Sequence, residues 1–238
     1  MIVTKKIEYQ DATSTFEGVV AYEEGINTQR PVIMIAPTFK GQTAFEEKKA
    51  IEFAKLGYIG FAIDTYGKGI RGNTTEEAFA LMRNLDSDRA LLLSRMKTSL
   101  KAAKSIEHAA IDKIGAIGFC FGGKSVLDLA RSGERLSGIV SFHGVYDPPK
   151  ENPPVKITTP VLVLHGWDDP LAPPTAVVAL AKELTEREAD WEFNVYGHTG
   201  HAFTNPTANA PGMAYNEKVD QQSWKRMTDF FANVIILQ

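Results

Sequence analysis

The segment that decides the fold is Ile114-Gly115-Ala116-Ile117-Gly118-Phe119-Cys120-Phe121-Gly122-Gly123-Lys124. Its first half is an apolar run typical of a buried strand, and its second half leads through a glycine-rich turn into a helical pattern. Its centre, Gly118-Phe119-Cys120-Phe121-Gly122, has the spacing of the G-x-S-x-G nucleophile elbow, with cysteine in place of serine. The segment therefore predicts an α/β protein that presents Cys120 at the end of a sheet strand.

The spacing of this motif has a steric reason. The nucleophile of such an elbow sits in a strained turn, where side chains two residues away on either side would collide, so glycine is needed at 118 and 122. The turn places the Cys120 sulfur at the N-terminus of the next helix, whose partial positive charge favours thiolate. The N–H of Phe121 would point toward a developing oxyanion. The alternative is that Cys120 is a small buried core residue beside a glycine-rich turn.

Outward from this segment, apolar runs rich in Val and Ile recur along the chain, with helical patterns between several of them. The first two runs predict an antiparallel hairpin, and the inner runs are nearly continuous in apolar character, as in parallel strands buried on both faces. The fold class is α/β, a mostly parallel eight-stranded sheet with helices on both faces. The predicted strands are Ile2–Tyr9, Glu17–Ala21, Val32–Ala36, Tyr58–Ile63, Ile114–Phe119, Gly138–Phe142, Val161–His165 and Trp191–Tyr196.

Five helices are predicted between and after these strands. Asp86 and Ser223 are the expected N-caps of two of them, and the segment Asn205–Lys218, rich in Pro, Gly, Ala and Asn, is expected to be a surface loop. The predicted helices are Ala44–Leu56, Asp86–Ser105, Lys124–Arg131, Pro173–Thr185 and Ser223–Val234.

Length and composition restrict the possible functions. The 238 residues fit one α/β domain over residues 1–238, and no repeat or linker divides them. A net charge of −3 without a basic run argues against a nucleic-acid partner, and no apolar run reaches the roughly 20 residues needed to cross a membrane. One cysteine and no signal-peptide core favour a cytoplasmic location. The Asp and His residues form no recognisable metal-ligand cluster, and we expect no metal or other cofactor.

A thiol nucleophile needs a base and an acid, and in this architecture they follow the nucleophile on loops at the carboxyl ends of later strands. The loop after Val161–His165 offers Asp168 and Asp169, and their spacing alone does not choose between them. The loop after Trp191–Tyr196 offers His198 and His201.

The pattern around the second histidine is more informative. Gly200-His201-Ala202-Phe203 matches the Gly-His-small-Phe pattern common after the last strand of such enzymes, which favours His201 as the base. His143 and His165 end strands on the same rim, and we expect them to be hydrogen-bonded rim residues.

Together these motifs resemble the dienelactone hydrolase family, which are α/β-hydrolases with a cysteine nucleophile. The resemblance covers nearly the whole chain, and includes Val32-Ile33-Met34-Ile35-Ala36, the strand ending at Asp64, the cysteine elbow and Gly200-His201-Ala202-Phe203. It implies a catalytic triad of Cys120, His201 and Asp169, with an oxyanion hole formed by the backbone N–H groups of Phe121 and Phe39.

The sequence departs from the family pattern at two places. The first loop of dienelactone-cleaving members has a glutamate that helps to activate the thiol, and Thr38 stands at that position here. Such members bind the substrate carboxylate with arginines, one of them four residues after the catalytic histidine, where this chain has Asn205. The other arginine position falls near Thr75 in a loose alignment. These changes favour a neutral ester over an anionic lactone.

The sequence thus predicts a cytoplasmic hydrolase that cleaves small neutral or aryl esters or lactones through a thioester, with phosphotriester hydrolysis as a side activity. Thr38, Tyr66, Trp167 and Phe203 are the predicted substrate contacts, and some of the aromatic residues near these loops are expected to pack beneath them. The alternatives are a carboxymethylenebutenolidase acting on dienelactone, and a non-catalytic or redox-sensing protein on the same fold. A monomer and a homodimer both fit the family resemblance.

Overall fold

A computed structural model describes residues 1–235 of the chain. Its eight principal strands join in the order β1-β2-β4-β3-β5-β6-β7-β8, which confirms the predicted mostly parallel sheet with helices. The strands are β1 (Ile2–Gln10), β2 (Thr15–Glu23), β3 (Arg30–Ala36), β4 (Ile59–Ala62), β5 (Ala109–Phe119), β6 (Gly138–Phe142), β7 (Val161–Gly166) and β8 (Trp191–Tyr196).

The sheet contains both antiparallel and parallel strand pairs. β1 and β2 form the predicted antiparallel hairpin, with Ile2 opposite Glu23 and Gln10 opposite Thr15. β2 is also antiparallel to β4, whereas β3 with β4, β6 with β7 and β7 with β8 are parallel. The side chains of β3 and β7 are buried at almost every position, as expected for parallel strands covered on both faces.

Contacts divide the chain into two compact units, the first from Met1 to Ile117 and the second from Gly118 onward. The first unit contains α1 (Ala44–Lys55), α2 (Thr75–Ser87) and α3 (Arg89–Lys104). The second contains α4 (Phe121–Arg131), α5 (Pro174–Glu186), α6 (Glu217–Val234) and two short strands, β9 (Asn209–Ala210) and β10 (Met213–Ala214). The expectation of one domain over residues 1–238 stays a prediction.

The predicted helix over Asp86–Ser105 was wrong, because two helices occupy this region. Asp86 lies inside α2 and is not an N-cap. The break is at Asp88, whose carboxylate accepts the N–H of Leu91 at 2.9 Å and so caps α3. Helix α2 was not predicted, although Thr74 and Glu77 form a capping box, a signal that can be read from sequence.

Two other helix starts were predicted too late. α6 begins at Glu217 with Asn216 as N-cap, and Ser223 is fully buried inside the helix. α4 begins at Phe121 and not at Lys124, so Cys120 itself is the N-cap residue. The segment after Asn205 is mostly exposed, as expected, but β9 and β10 pair within it as a small antiparallel ribbon.

Candidate functional site

The candidate nucleophile lies in the second unit, between β5 and α4. Cys120 has a φ of 56°, a strained value for a residue other than glycine. Its backbone N–H donates to the carbonyl of Phe142 at 3.1 Å. A Cβ atom on Gly118 would lie 2.0 Å from the carbonyl oxygen of Gly122, so the close approach predicted for the elbow is present.

The environment of the sulfur suits a nucleophile. Cys120 is half-buried and not in a disulfide, and its side chain makes no capping hydrogen bond to α4. Phe121 is the first residue of α4, so its N–H has no acceptor within the helix. The sulfur and this N–H are thus both at the positive end of the helix.

The candidate acid follows β7. Asp169 is 2% exposed, and its Oδ1 accepts the N–H of Leu171 at 2.8 Å. Its Oδ2 lies 2.7 Å from Nδ1 of His201. Asp168 is exposed, and its backbone N–H bonds to the carbonyl of Thr199. The geometry therefore selects Asp169 from the two neighbouring aspartates.

The candidate base, His201, follows β8 and is bonded both to Asp169 and to the β9–β10 ribbon. His201 is 2% exposed, and its backbone N–H donates to the carbonyl of Gly212 in the β9–β10 ribbon at 2.7 Å. A Cβ atom on Gly200 would lie 2.3 Å from that same carbonyl oxygen, so the ribbon touches the histidine loop directly. His198 is exposed. The surface segment after Asn205 thus helps to build the site.

The charge state of His201 follows from its neighbours. Burial lowers the pKa of His201, but the hydrogen bond to Asp169 and the interaction with Cys120, together with both negative charges, outweigh burial and raise it to about 10. Nε2 is buried and has no hydrogen-bond partner within the described residues. This nitrogen is therefore available to the Cys120 sulfur, and the interaction of that sulfur with the imidazole helps to raise the pKa of His201.

Comparison with known proteins gives the family. A model of the dienelactone hydrolase family matches residues 16–235. The chain belongs to the dienelactone hydrolase family. The solved structure of a protein named m3DLH is 33% identical, with a TM-score of 0.92 over 98% of both chains. That of the dienelactone hydrolase-like promiscuous phosphotriesterase P91 from metagenomic libraries is 30% identical, with a TM-score of 0.93 over 98% of both chains.

A curated relative points to the same chemistry. A probable 2-oxo-3-(5-oxofuran-2-ylidene)propanoate lactonase from a Bradyrhizobium species is 26% identical over 237 residues, which are 93% of this chain and 92% of that protein. This member of the dienelactone hydrolase family is therefore a hydrolase acting on ester or lactone bonds. The family and the enzyme class predicted from the sequence are confirmed.

Three of the predicted site residues of this hydrolase lie in the first unit. The Tyr66 hydroxyl donates to the carbonyl of Phe39 at 2.8 Å, and the Phe39 ring stacks on Phe79 with centroids 4.8 Å apart. The backbone N–H of Thr38 donates to the buried carboxylate of Glu46 at 3.2 Å. The oxyanion role of Phe39 and the substrate contacts of Thr38 and Tyr66 stay predictions.

The two predicted aromatic contacts of the second unit differ in exposure. Trp167, two residues before Asp169 in the sequence, is 44% exposed, whereas Phe203 is fully buried and packs edge-on against His143 and Tyr196. Because Phe203 is fully buried, packing beneath the loops is favoured over substrate contact for this residue. Both substrate contacts stay predictions.

Two histidines on the rim are hydrogen-bonded, as expected. Nε2 of His143 lies 2.8 Å from Oγ1 of Thr204, and Nδ1 of His165 lies 2.9 Å from the hydroxyl of Tyr146. Sequence reasoning missed Thr204 and Tyr146, although Thr204 directly follows the Gly-His-Ala-Phe pattern.

The first unit contains an arginine, Arg71, for which the sequence predicted no role. Arg71 donates to the Asp64 carboxylate at 3.2 Å and to the Gln42 side chain at 2.7 Å, and also to two backbone carbonyls of its own loop. These bonds hold the loop after β4 in place.

Two cavities are lined by residues other than Cys120, Asp169 and His201. One cavity of about 470 Å³ lies between the β1–β2 hairpin and α3, and another of about 370 Å³ lies beside α5. None of Cys120, Asp169 and His201 lines either cavity. Among residues 1–235, no group of three or more His, Cys, Asp and Glu side chains is placed to hold a metal ion. No helix in that range combines the length and apolar character needed to span a bilayer.

Proposed function

We propose that this protein hydrolyses neutral carboxylic esters or lactones, with Cys120 as nucleophile, His201 as general base and acid, and Asp169 as the residue that orients the imidazole. The observation that best supports the proposal is the bond of 2.7 Å between His201 Nδ1 and Asp169 Oδ2, both side chains being almost fully buried. The bond leaves Nε2 as the nitrogen available to the thiol of Cys120 and the substrate.

The first half of the reaction forms a thioester. The Cys120 thiolate attacks the ester carbonyl carbon, a C–S bond forms, and the carbonyl electrons move onto oxygen. We expect the N–H of Phe121 to stabilise that oxyanion, because the first residue of α4 has no acceptor for its N–H within the helix. When the intermediate collapses, the C–O bond to the alcohol breaks, and the His201 imidazolium gives its proton to the leaving oxygen.

The second half releases the acid. Neutral His201 takes a proton from water as the water oxygen attacks the thioester carbonyl. Collapse of this intermediate breaks the C–S bond, frees the carboxylic acid and restores the thiolate beside the imidazolium. Asp169 is not protonated in the cycle, and it fixes the tautomer of His201.

A neutral substrate fits the charges in the second unit. Asn205, which stands where the family pattern has an arginine, uses its side-chain oxygen to accept from the N–H and hydroxyl of Thr207 at 3.1 and 2.9 Å. Lys124, four residues after the nucleophile, pairs with Asp147 at 2.8 Å. Asn205 therefore supports its own loop, and the Lys124 charge is already neutralised.

The test is hydrolysis of para-nitrophenyl acetate by the wild type and by the Cys120→Ala and His201→Ala variants. We expect both variants to lose about a thousandfold or more in kcat. His198→Ala is the matched control, since this exposed histidine of the same loop should leave kcat unchanged. Wild-type turnover in Cys120→Ala would refute the thiol mechanism. An alkylable thiol in a protein without ester turnover would instead support the redox-sensor alternative.

The relative P91 gives a reason to test a second activity. P91 is named a promiscuous phosphotriesterase, and it matches 98% of this chain. A thiolate in a neutral site is suited to attack an aryl phosphotriester at phosphorus, which forms an S–P bond and expels aryloxide, and water then cleaves the S–P bond. We expect slow turnover of a neutral aryl phosphotriester that disappears in Cys120→Ala. Equal rates in the wild type and the variant would exclude this activity.

A further inference from the structure

The end of β6 contacts the loop of the nucleophile. The carbonyl of Phe142, the last residue of β6, accepts the backbone N–H of Cys120 at 3.1 Å. The next residue, His143, donates its own backbone N–H to the carbonyl of Leu164 in β7 at 2.9 Å. The backbone at this point is thus fixed both to the nucleophile and to the strand that precedes the acid.

The side chain of His143 contacts the loop of the base. Nε2 of His143 lies 2.8 Å from Oγ1 of Thr204, which follows His201 by three residues, and both side chains are buried. The His143 ring meets the His201 ring edge-on, with centroids 4.9 Å apart and planes at 67°. It meets the Phe203 ring at the same centroid distance and 83°. One side chain therefore connects the strand end that holds Cys120 to the loop that holds His201.

Backbone conformation and charge both set His143 apart from an ordinary core residue. Its φ of 35° is strained, and such values persist only where the surroundings fix them. Burial, then the charges of His201 and His165, lower the pKa of His143 well below its ordinary value, so the ring is neutral. A neutral ring can pack against the His201 imidazolium without adding a second positive charge.

We propose that His143 and Thr204 are a positioning pair that sets the separation between the Cys120 sulfur and the His201 imidazole. Asp169 and Gly212 hold His201 from the acid loop and from the ribbon, and the His143–Thr204 bond holds the same loop from the nucleophile side. The inference rests on the proposed function, because it assumes that Cys120 and His201 are the reacting pair.

The test replaces Thr204 with valine, which keeps the shape of the side chain and removes the hydroxyl. We expect kcat for para-nitrophenyl acetate to fall about five- to tenfold, the size expected for one buried hydrogen bond, with little change in KM. Alkylation of Cys120 by iodoacetamide gives a readout that needs no turnover, and the label reports one site because the chain has one cysteine. A looser His201 stabilises the thiolate less, so the midpoint of alkylation should move to higher pH by about half a unit or more.

Three further variants make the test specific. Thr204→Ser keeps the hydroxyl and should restore both readouts. His143→Phe keeps a ring but loses Nε2, and it should reproduce the effects of Thr204→Val if that variant is too unstable to assay. Thr159→Val is the matched control, because Thr159 is fully buried in the same unit and its hydroxyl bonds to Glu134 and Leu136 away from the triad. It should lower the melting temperature without moving kcat or the alkylation midpoint.

The outcomes separate this inference from the proposed function. If Thr204→Val and Thr159→Val lose similar stability and both keep the wild-type kcat and alkylation midpoint, the pair is only structural and the inference is overturned. The same follows if serine does not restore what valine removes. Wild-type turnover in Cys120→Ala would overturn the proposed function instead, whatever the Thr204 variants show.

Discussion

Replacing Asp169 with asparagine should disable the imidazole with little change in shape. The substitution removes the negative charge 2.7 Å from Nδ1 of His201, in a place where the two residues are each 2% exposed. The imidazole then loses the partner that fixes its tautomer and stabilises its charged form. By analogy with the loss of the acid from a Ser-His-Asp triad, kcat/KM should fall about a hundredfold to ten-thousandfold.

The pH dependence gives the same prediction a second readout. The hydrogen bond and the charge of Asp169 help to raise the pKa of His201 to about 10. The imidazolium is present below that pKa and is lost as pH rises through it. The wild-type rate should therefore persist into the alkaline range, and in Asp169→Asn the alkaline decline should begin at lower pH, since the pKa of His201 falls toward its ordinary value.

The assay is kcat/KM for para-nitrophenyl acetate over a range of about pH 6 to pH 10, corrected for hydrolysis without enzyme. Asp168→Asn is the matched control, because its carboxylate is one residue away but exposed. We expect this control to keep the wild-type profile. If Asp169→Asn stays within about threefold of wild type and keeps its alkaline range, the bond between Asp169 and His201 does not support catalysis.

Three other perturbations address the elbow, an ion-pair network and the charge of His201. Gly118→Ala places a Cβ atom 2.0 Å from the Gly122 carbonyl oxygen, so thermal unfolding should show a loss of about 1–3 kcal/mol or more, whereas Gly197→Ala, with nothing within 4 Å, should change little. Glu183→Gln weakens the pairing with buried Arg131 and Arg187, and urea unfolding should show a loss of about 3 kcal/mol. Burial raises the pKa of Glu183, but the hydrogen bonds and charge of Arg131 outweigh it and lower the pKa. The pairing is therefore intact above the ordinary pKa of a glutamate and is lost as pH falls through the lowered pKa of Glu183. An unchanged difference in unfolding free energy between wild type and variant in strong acid would contradict this prediction. The raised pKa of His201 stabilises the fold fully below about pH 6.5, and this stabilisation declines toward pH 10. The stability difference between wild type and His201→Ala should decline over the same range, and a constant difference would contradict it.

Local sequence patterns determined the sheet and the position of Cys120 in the strand-to-helix turn. β6 and β8 have the predicted bounds, because apolar runs between turn residues reflect the burial of the strand itself. The cysteine elbow could be predicted because a side chain at Gly118 would collide with the backbone of Gly122, only four residues later in the sequence. Helix starts were less predictable, because an N-cap depends on a single side chain. Several residues near these helix starts have side chains that suit an N-cap, namely Asp86, Asp88, Asn216 and Ser223.

The tertiary structure decided which of the neighbouring candidate residues contact one another. From spacing alone Asp168 and Asp169 were equivalent, and only the fold turns one carboxylate toward His201 and leaves the other exposed. The contact of His143 with Thr204 joins segments that are far apart in the sequence. The contact of Gly212 with His201 joins two segments that are separated by an irregular loop. Sequence periodicity reports which face of an element is buried, but not what it meets there. The sequence by itself therefore determined the fold and the position of Cys120 in the elbow, whereas the contacts that orient the His201 side chain were decided by the way separate strand ends converge.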